Sequence, residues 1–327
     1  MRPIDPFAPP LILHNNHVMT LVPQYWPRGA PLSGLPQQDR LFAVEPGTQL
    51  LGRCHWQPDR KASATAILVH GLEGCSESHY MHGIAAKAYR AGLNVIRMNQ
   101  RTCGGTEHLT PTLYNSGLSG DYRAVVRELA TVDGLHHIWL IGYSMGGNLV
   151  LKAAGEAGRS EPALAGVVTV CPNIDPTQCV DALELPSNWI YHHHFLTRLK
   201  ARLRRKAALI PGKWDLTGFD RIRLIREFDD RYTAPDGGYR NGADYYDRAG
   251  SRHVLGSIAV PTLIITAQDD PFIPYSMFAL QAIRQNLSIS LVAPRYGGHC
   301  GFFQWSRNGE DSYWAENRIV DFISRGV

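Results

Sequence analysis

The chain has 327 residues, 44% hydrophobic and 19% charged, with a formal net charge of +4. That is the composition of a globular protein able to bury a large core, far from the depleted, highly charged profile of a disordered chain. The mild basicity comes without zinc-finger spacing, an aromatic-rich RNA-binding strand or a basic tail, which argues against a nucleic-acid partner.

Pro3, Pro6, Pro9 and Pro10 interrupt the N-terminal segment, so it lacks the apolar core of a signal peptide. No run of about 18 apolar residues occurs elsewhere. Cys54, Cys75, Cys103, Cys171, Cys179 and Cys300 stand singly, without CxxC spacing. Reduced thiols in a cytoplasmic protein are expected.

Residues 39–56 read as two strands joined at Pro46-Gly47, an antiparallel hairpin. AILVHG (66–71) is a buried strand, followed by a helix whose apolar face carries Met81, Ile84, Ala85, Ala88 and Tyr89, ending at Gly92. LNVIRMN (93–99) is the next strand. Val125, Val126 and Leu129 mark a helix over about 119–131, and HIWLIGY (137–143) runs into the small-residue helix SMGGNLVLKAAGEAG. AGVVTV (165–170) is another buried strand. The rhythm breaks over about 172–256 and resumes with PTLIITA (261–267), a helix after Pro274, the strand ISLVAP (289–294) and a closing helix over about 311–325. Strands alternating with helices predict a mostly parallel sheet. A chain of this length commonly keeps one core with insertions, so the expected organisation is a single domain, 1–327, with a helical lid at about 172–256.

Gly142-Tyr143-Ser144-Met145-Gly146 fits G-x-S-x-G, a pattern that a chain this long meets by chance about one time in ten. Its position between an apolar strand and a helix of small residues is what a nucleophile elbow requires. A serine hydroxyl needs a base and a group to orient that base. Asp269-Asp270 follows one later strand and His299 follows the next, the chain order of this type of triad. Taken singly, the histidine reads as a bonded loop residue and the acids as a helix cap. Three groups in order, each at a strand's C-terminal end, favour the catalytic reading. Asp270 is preferred as the acid because Pro271 biases it toward extended backbone, leaving Asp269 to brace the loop. Backbone N–H groups of Met145 and of Leu72, the latter within His70-Gly71-Leu72-Glu73-Gly74, are the expected oxyanion donors.

His192, His193 and His194 are consecutive, so on a helix they point about 100° apart and cannot share a metal. HExxH, P-loop and Rossmann patterns are missing. No metal or cofactor is expected.

With these residues placed, the chain resembles the YheT-like branch of the α/β-hydrolases over nearly its full length. The matching segments are Phe7-Ala8-Pro9-Pro10 with Asn16-His17 and Thr20, HGLEG at 70–74, GYSMGGN at 142–148, DYY at 244–246, DDPFIP at 269–274 and GGHCGF at 297–302. The resemblance implies the α/β-hydrolase fold, Ser144, Asp270 and His299 as the triad, and carboxylesterase or acyltransferase activity. Eukaryotic members carry an N-terminal membrane anchor, whereas this chain begins with the soluble motif.

The expected function is hydrolysis of carboxylic esters through an acyl-serine. Lipid-like acyl groups are preferred because the resemblance implies them and because Trp189, Tyr191, Phe195, Trp214 and Phe219 could line an apolar pocket, though they could equally form lid core. An acyltransferase with an alcohol or thiol acceptor is the first alternative, and a non-catalytic binding protein on the same fold the second. Residues 195–210 form an apolar stripe (Phe195, Leu196, Leu199, Leu203, Ala207) flanked by Arg198, Lys200, Arg202, Arg204, Arg205 and Lys206. This reads as a lid helix solvated on its basic side, or one that touches anionic lipid surfaces.

Overall fold

The computed structural model describes residues 6–326; Pro3 lies outside them. Strands β1 (Gln38–Glu45) and β2 (Thr48–His55) form the hairpin, with Gly47 at φ 75°, a left-handed turn position that suits glycine. Six further strands follow: β3 (Thr65–Val69), β4 (Asn94–Met98), β5 (Ile138–Tyr143), β6 (Leu164–Val170), β7 (Thr262–Ile265) and β8 (Ile289–Val292). They make one sheet in the order β1-β2-β4-β3-β5-β6-β7-β8. The β1–β2 and β2–β4 pairs are antiparallel and the rest parallel.

Helices α1 (Asn16–Tyr25), α2 (His79–Arg90), α3 (Ser119–Thr131) and α4 (Met145–Ala157) precede the insert. Strands β3, β4 and β5 are buried along their whole length, as expected of parallel strands covered on both faces. The parallel order sends the C-terminal ends of β3, β5, β7 and β8 to one edge, and the loops carrying the candidate residues gather there.

Among the described residues, the segment between β6 and β7 adds no strand to the sheet. It holds α5 (Pro176–Leu183), α6 (Trp189–Leu209), the helix Gly242–Ala249 and several single turns. Its buried side chains, among them Leu199, Leu203, Phe219 and Phe228, join the same apolar cluster as the sheet.

Three expectations are corrected. The segment after Pro274 is a 3₁₀ turn (Tyr275–Ala279) followed by a short α-helix (Gln281–Gln285), and the closing helix starts at Trp314 rather than near 311. The residues before Trp314 pair instead through the bridges Phe303–Tyr313 and Arg307–Glu310. The third correction concerns α6, whose basic side is not simply solvated. Arg202 and Lys206 are buried; Lys206 Nζ donates to the carbonyls of Glu107, at 2.5 Å, and Thr110. Arg204 pairs with Asp220 and Arg205 with Glu107. Much of the basic row on which contact with an anionic surface would rely is therefore charge-paired within the chain. No helix among the described residues is long and apolar enough to cross a membrane.

Candidate active site

Ser144 stands between β5 and α4 at φ 53°, ψ −119°, a conformation that L-residues avoid and that functional turns retain under strain. The neighbouring glycines make it possible. A Cβ on Gly142 would lie 2.3 Å from the Gly146 carbonyl oxygen, and one on Gly146 would lie 2.3 Å from that of Val69. Both contacts are with backbone, so nothing can move aside cheaply. The motif is here a packing requirement that lifts the serine out of the sheet.

Asp270 and His299 are brought together: Asp270 Oδ2 accepts from His299 Nδ1 at 2.8 Å, and the Asp270 side chain is wholly buried. The other carboxylate oxygen accepts the N–H groups of Phe272 (3.1 Å) and Ile273 (2.9 Å), which fixes the acid. Burial opposes charge on His299, but the negative charge and hydrogen bond of Asp270 outweigh it and raise the imidazole above its ordinary pKa. Asp269 sits differently. Its Oδ1 accepts from Gly298 N–H at 2.9 Å, bracing the loop that presents His299. Ser144 and His299 line one cavity, and no hydrogen bond joins them among the described residues.

Leu72, Ser144 and Met145 line a second, apolar cavity. The N–H groups of Leu72 and Met145 find no acceptor among the described residues, so both are free to meet an oxygen beside Ser144. Their loop is fixed from below by His70, which is fully buried and pushed down to about 3 by that burial. The ring stays neutral, bonds the Gly71 carbonyl through Nδ1 at 2.8 Å, and accepts Gln100 N–H at Nε2.

The apolar cavity runs under the insert, between Val180, Leu183, Leu199 and Ile225, toward Asp229 and Tyr246. The wider one includes Tyr25, Arg28, His194 and Arg198. Of the five lid aromatics read as pocket wall or lid core, Phe195 lines both cavities and Tyr191 the wider one. Phe219 is lid core, Trp214 packs against that core, and Trp189 is 62% exposed. Aliphatic residues form most of the apolar wall instead.

Cys171, His299 and Cys300 present ligand-type atoms within 4.8 Å of one another. Burial pushes the Cys171 thiol well above its usual value, and the thiol donates to the Gly298 carbonyl, so its chemistry is that of a packed neutral group. The three consecutive histidines diverge: His192 accepts Ile225 N–H, His193 stacks on Trp189, and His194 faces the wider cavity.

Residues 67–304 match the family model described as the alpha/beta hydrolase fold. The chain is 30% identical over 321 residues to the Escherichia coli (strain K12) protein YheT, covering 97% of this chain and 93% of that one. The chain belongs to the α/β-hydrolase family, in its YheT-like branch. The name of the E. coli protein assigns it provisionally to the esterases. A mouse protein named phospholipase ABHD3 is 31% identical over 76% of this chain, which spans 61% of its length. Among solved structures, the Pyrococcus furiosus esterase Pf2001 superposes with a TM-score of 0.58 at 18% identity, over 91% of this chain and 94% of that one, a likeness of fold.

Several groups around the site of this α/β-hydrolase escaped the sequence reading. Thr20 of α1 accepts His299 N–H at 2.8 Å while donating to the Asn16 carbonyl at 2.7 Å. Phe272 packs on the His299 ring at 4.1 Å between centroids, and the Tyr80 hydroxyl accepts Gly71 N–H at 2.9 Å. Thr20 and Phe272 fall within the segments that carried the family resemblance, the one signal that pointed to them.

Proposed function

We propose that this protein hydrolyses carboxylic esters of lipid-like acids, with Ser144 as nucleophile, His299 as general base and acid, and Asp270 as its orienting carboxylate. The observation that carries the reading is the 2.8 Å bond from His299 Nδ1 to buried Asp270, beside a strained serine flanked by two unengaged N–H groups. Asp270 holds the proton on Nδ1, leaving Nε2 to accept one from Ser144 Oγ. In ligand-free sites this contact is often long and tightens when substrate binds. The Leu72 and Met145 N–H groups then receive the oxyanion, the alcohol leaves with the proton from His299, and water repeats the sequence to release the acid.

The apolar cavity under the insert supports an aliphatic acyl chain, whose burial contributes about 0.8 kcal/mol per CH₂. The wider cavity carries more polar groups, Arg28, His194 and Arg198 among them, and suits the alcohol. The printed activities of relatives, esterase and phospholipase, agree with this substrate class.

The test is a series of p-nitrophenyl esters of increasing acyl length, assayed with wild type and Ser144→Ala. Wild type should turn over and prefer apolar chains over acetate. Ser144→Ala should lose several orders of magnitude in kcat with an unchanged melting temperature. Turnover by Ser144→Ala near the wild-type rate would refute the assignment.

A further inference from the structure

Glu73 lies beside the candidate oxyanion donor Leu72 and has φ 57°, a left-handed conformation that is strained for a residue bearing Cβ. Gly74 N–H donates to the Gly71 carbonyl at 3.1 Å, closing a tight turn in which Glu73 occupies the position that usually falls to glycine. Something must hold a glutamate there.

Its carboxylate is held on both sides. The Tyr114 hydroxyl donates to Oε1 at 2.7 Å and accepts the Glu73 N–H at 3.2 Å. Arg202 Nη2 lies 2.8 Å from Oε2. Arg202 also donates to Cys103 Sγ and stacks 4.5 Å above the Tyr114 ring. The Glu73 and Arg202 side chains are only 3% and 6% exposed. The arginine belongs to α6, in the insert, 129 residues along the chain.

We propose that Arg202 and Glu73 form a clamp through which the insert sets the direction of the Leu72 N–H, making both of them positioning residues for oxyanion stabilisation. The inference rests on the ester-hydrolase reading of the site. A buried carboxylate that loses its hydrogen-bonded cation is strongly disfavoured, and Arg198, whose Nε lies 4.0 Å from the same oxygen on a side chain 54% exposed, is too far to take over that hydrogen bond. Withdrawing Arg202 would therefore expel or reorient the Glu73 side chain, and the turn would relax from its strained φ. Leu72 is the residue between Gly71 and Glu73, so the relaxation rotates its N–H away from Ser144. Packing in the acyl cavity is less affected, because Leu72 is one wall residue among many. The effect belongs to the transition state, where the oxyanion exists, rather than to substrate binding.

The experiment compares wild type with Arg202→Met, Arg202→Lys and Glu73→Gln on one ester substrate, each normalised to folded protein by active-site titration with a fluorophosphonate. Arg202→Met should lower kcat by roughly 10- to 100-fold, part of the full cost of removing an oxyanion donor, with KM within about twofold. Its affinity for a trifluoromethyl ketone, which forms a tetrahedral adduct at the serine, should fall by a similar factor. Arg202→Lys should recover part of both. If Arg202→Met does not fold, Glu73→Gln, which keeps volume and a hydrogen-bonding group, reads the same quantities. Wild-type kcat and ketone affinity in the folded variant would overturn the clamp, as would a loss confined to KM. Absence of turnover and of ketone adduct in wild type would instead overturn the ester-hydrolase reading itself.

Discussion

The sheet edge that bears Ser144 and the insert that roofs it are held by different forces. At the edge, backbone meets backbone: the glycines on either side of Ser144 leave no room for a methyl group, and steric exclusion fixes the geometry. In the insert, charged groups are buried and neutralised in place. Arg202 pairs with Glu73, Lys206 donates to the carbonyls of Glu107 and Thr110, and Asp229 receives hydroxyls from Thr233 and Tyr246. Buried pairs stabilise little in net terms, yet losing one partner is costly. The stability of the fold is thus sensitive to size at the edge and to charge in the insert.

The largest expected effect lies at the edge. Asp270→Asn should lower kcat by about 10⁴-fold, as loss of the orienting carboxylate does in triads, while Asp269→Asn, at a carboxylate that accepts from Gly298 N–H and has no hydrogen bond to His299 among the described residues, should cost about tenfold or less. The same pair gives a pH signature. In the proposed mechanism activity requires neutral His299, so kcat/KM should rise as that proton is lost, and Asp270 should displace this limb upward. In Asp270→Asn the limb should move to lower pH in whatever activity remains. Equal losses from the two substitutions would mean that the acid has been misassigned.

Next comes Gly146→Ala, which forces a methyl group onto the Val69 carbonyl oxygen and should destabilise by about 3 kcal/mol in urea unfolding. Stability within about 0.5 kcal/mol of wild type, the range of ordinary surface substitutions, would contradict the steric account.

In the insert, burial raises Asp229 to about 6 even though Thr233 and Tyr246 bond to its carboxylate. The native state therefore holds this proton more tightly than the unfolded chain. Stability from this group is gained as pH falls through about 6 toward the unfolded carboxylate value, and lost as pH rises. Unfolding free energies of wild type and Asp229→Asn at pH 4 and pH 7 should differ in their pH dependence by about 2 kcal/mol, wild type gaining at the acidic end. Parallel curves would rule this out. The smallest effect is expected at Arg204, whose pair with Asp220 is exposed on both sides. Arg204→Gln should change stability by less than about 0.5 kcal/mol.

This division also explains what the sequence made legible. The β5–Ser144–α4 unit is local: an apolar strand, a turn and small residues are contiguous, so period and composition are enough to place it. Asp270 was separable from Asp269 by the proline that follows. Thr20 was not legible as a support for His299, because 279 residues separate them. Nor was Arg202, since helical periodicity places it beside an apolar stripe but cannot say that Glu73 awaits it in another loop. The aromatic lid residues were left undecided for a similar reason: composition does not tell a cavity wall from lid core, and Val180, Leu183 and Ile225 share the wall with Phe195.

The central claim is that acyl transfer passes through Ser144, and the most direct test is to locate the covalent adduct. Wild type and Ser144→Ala would be treated with an alkyl fluorophosphonate, weighed intact, and mapped by peptide mass spectrometry. The account predicts one adduct per wild-type chain on the peptide containing Ser144, loss of ester turnover in step with labelling, and no adduct on Ser144→Ala. An adduct on another residue accompanied by loss of turnover, or full labelling of Ser144→Ala, would contradict it.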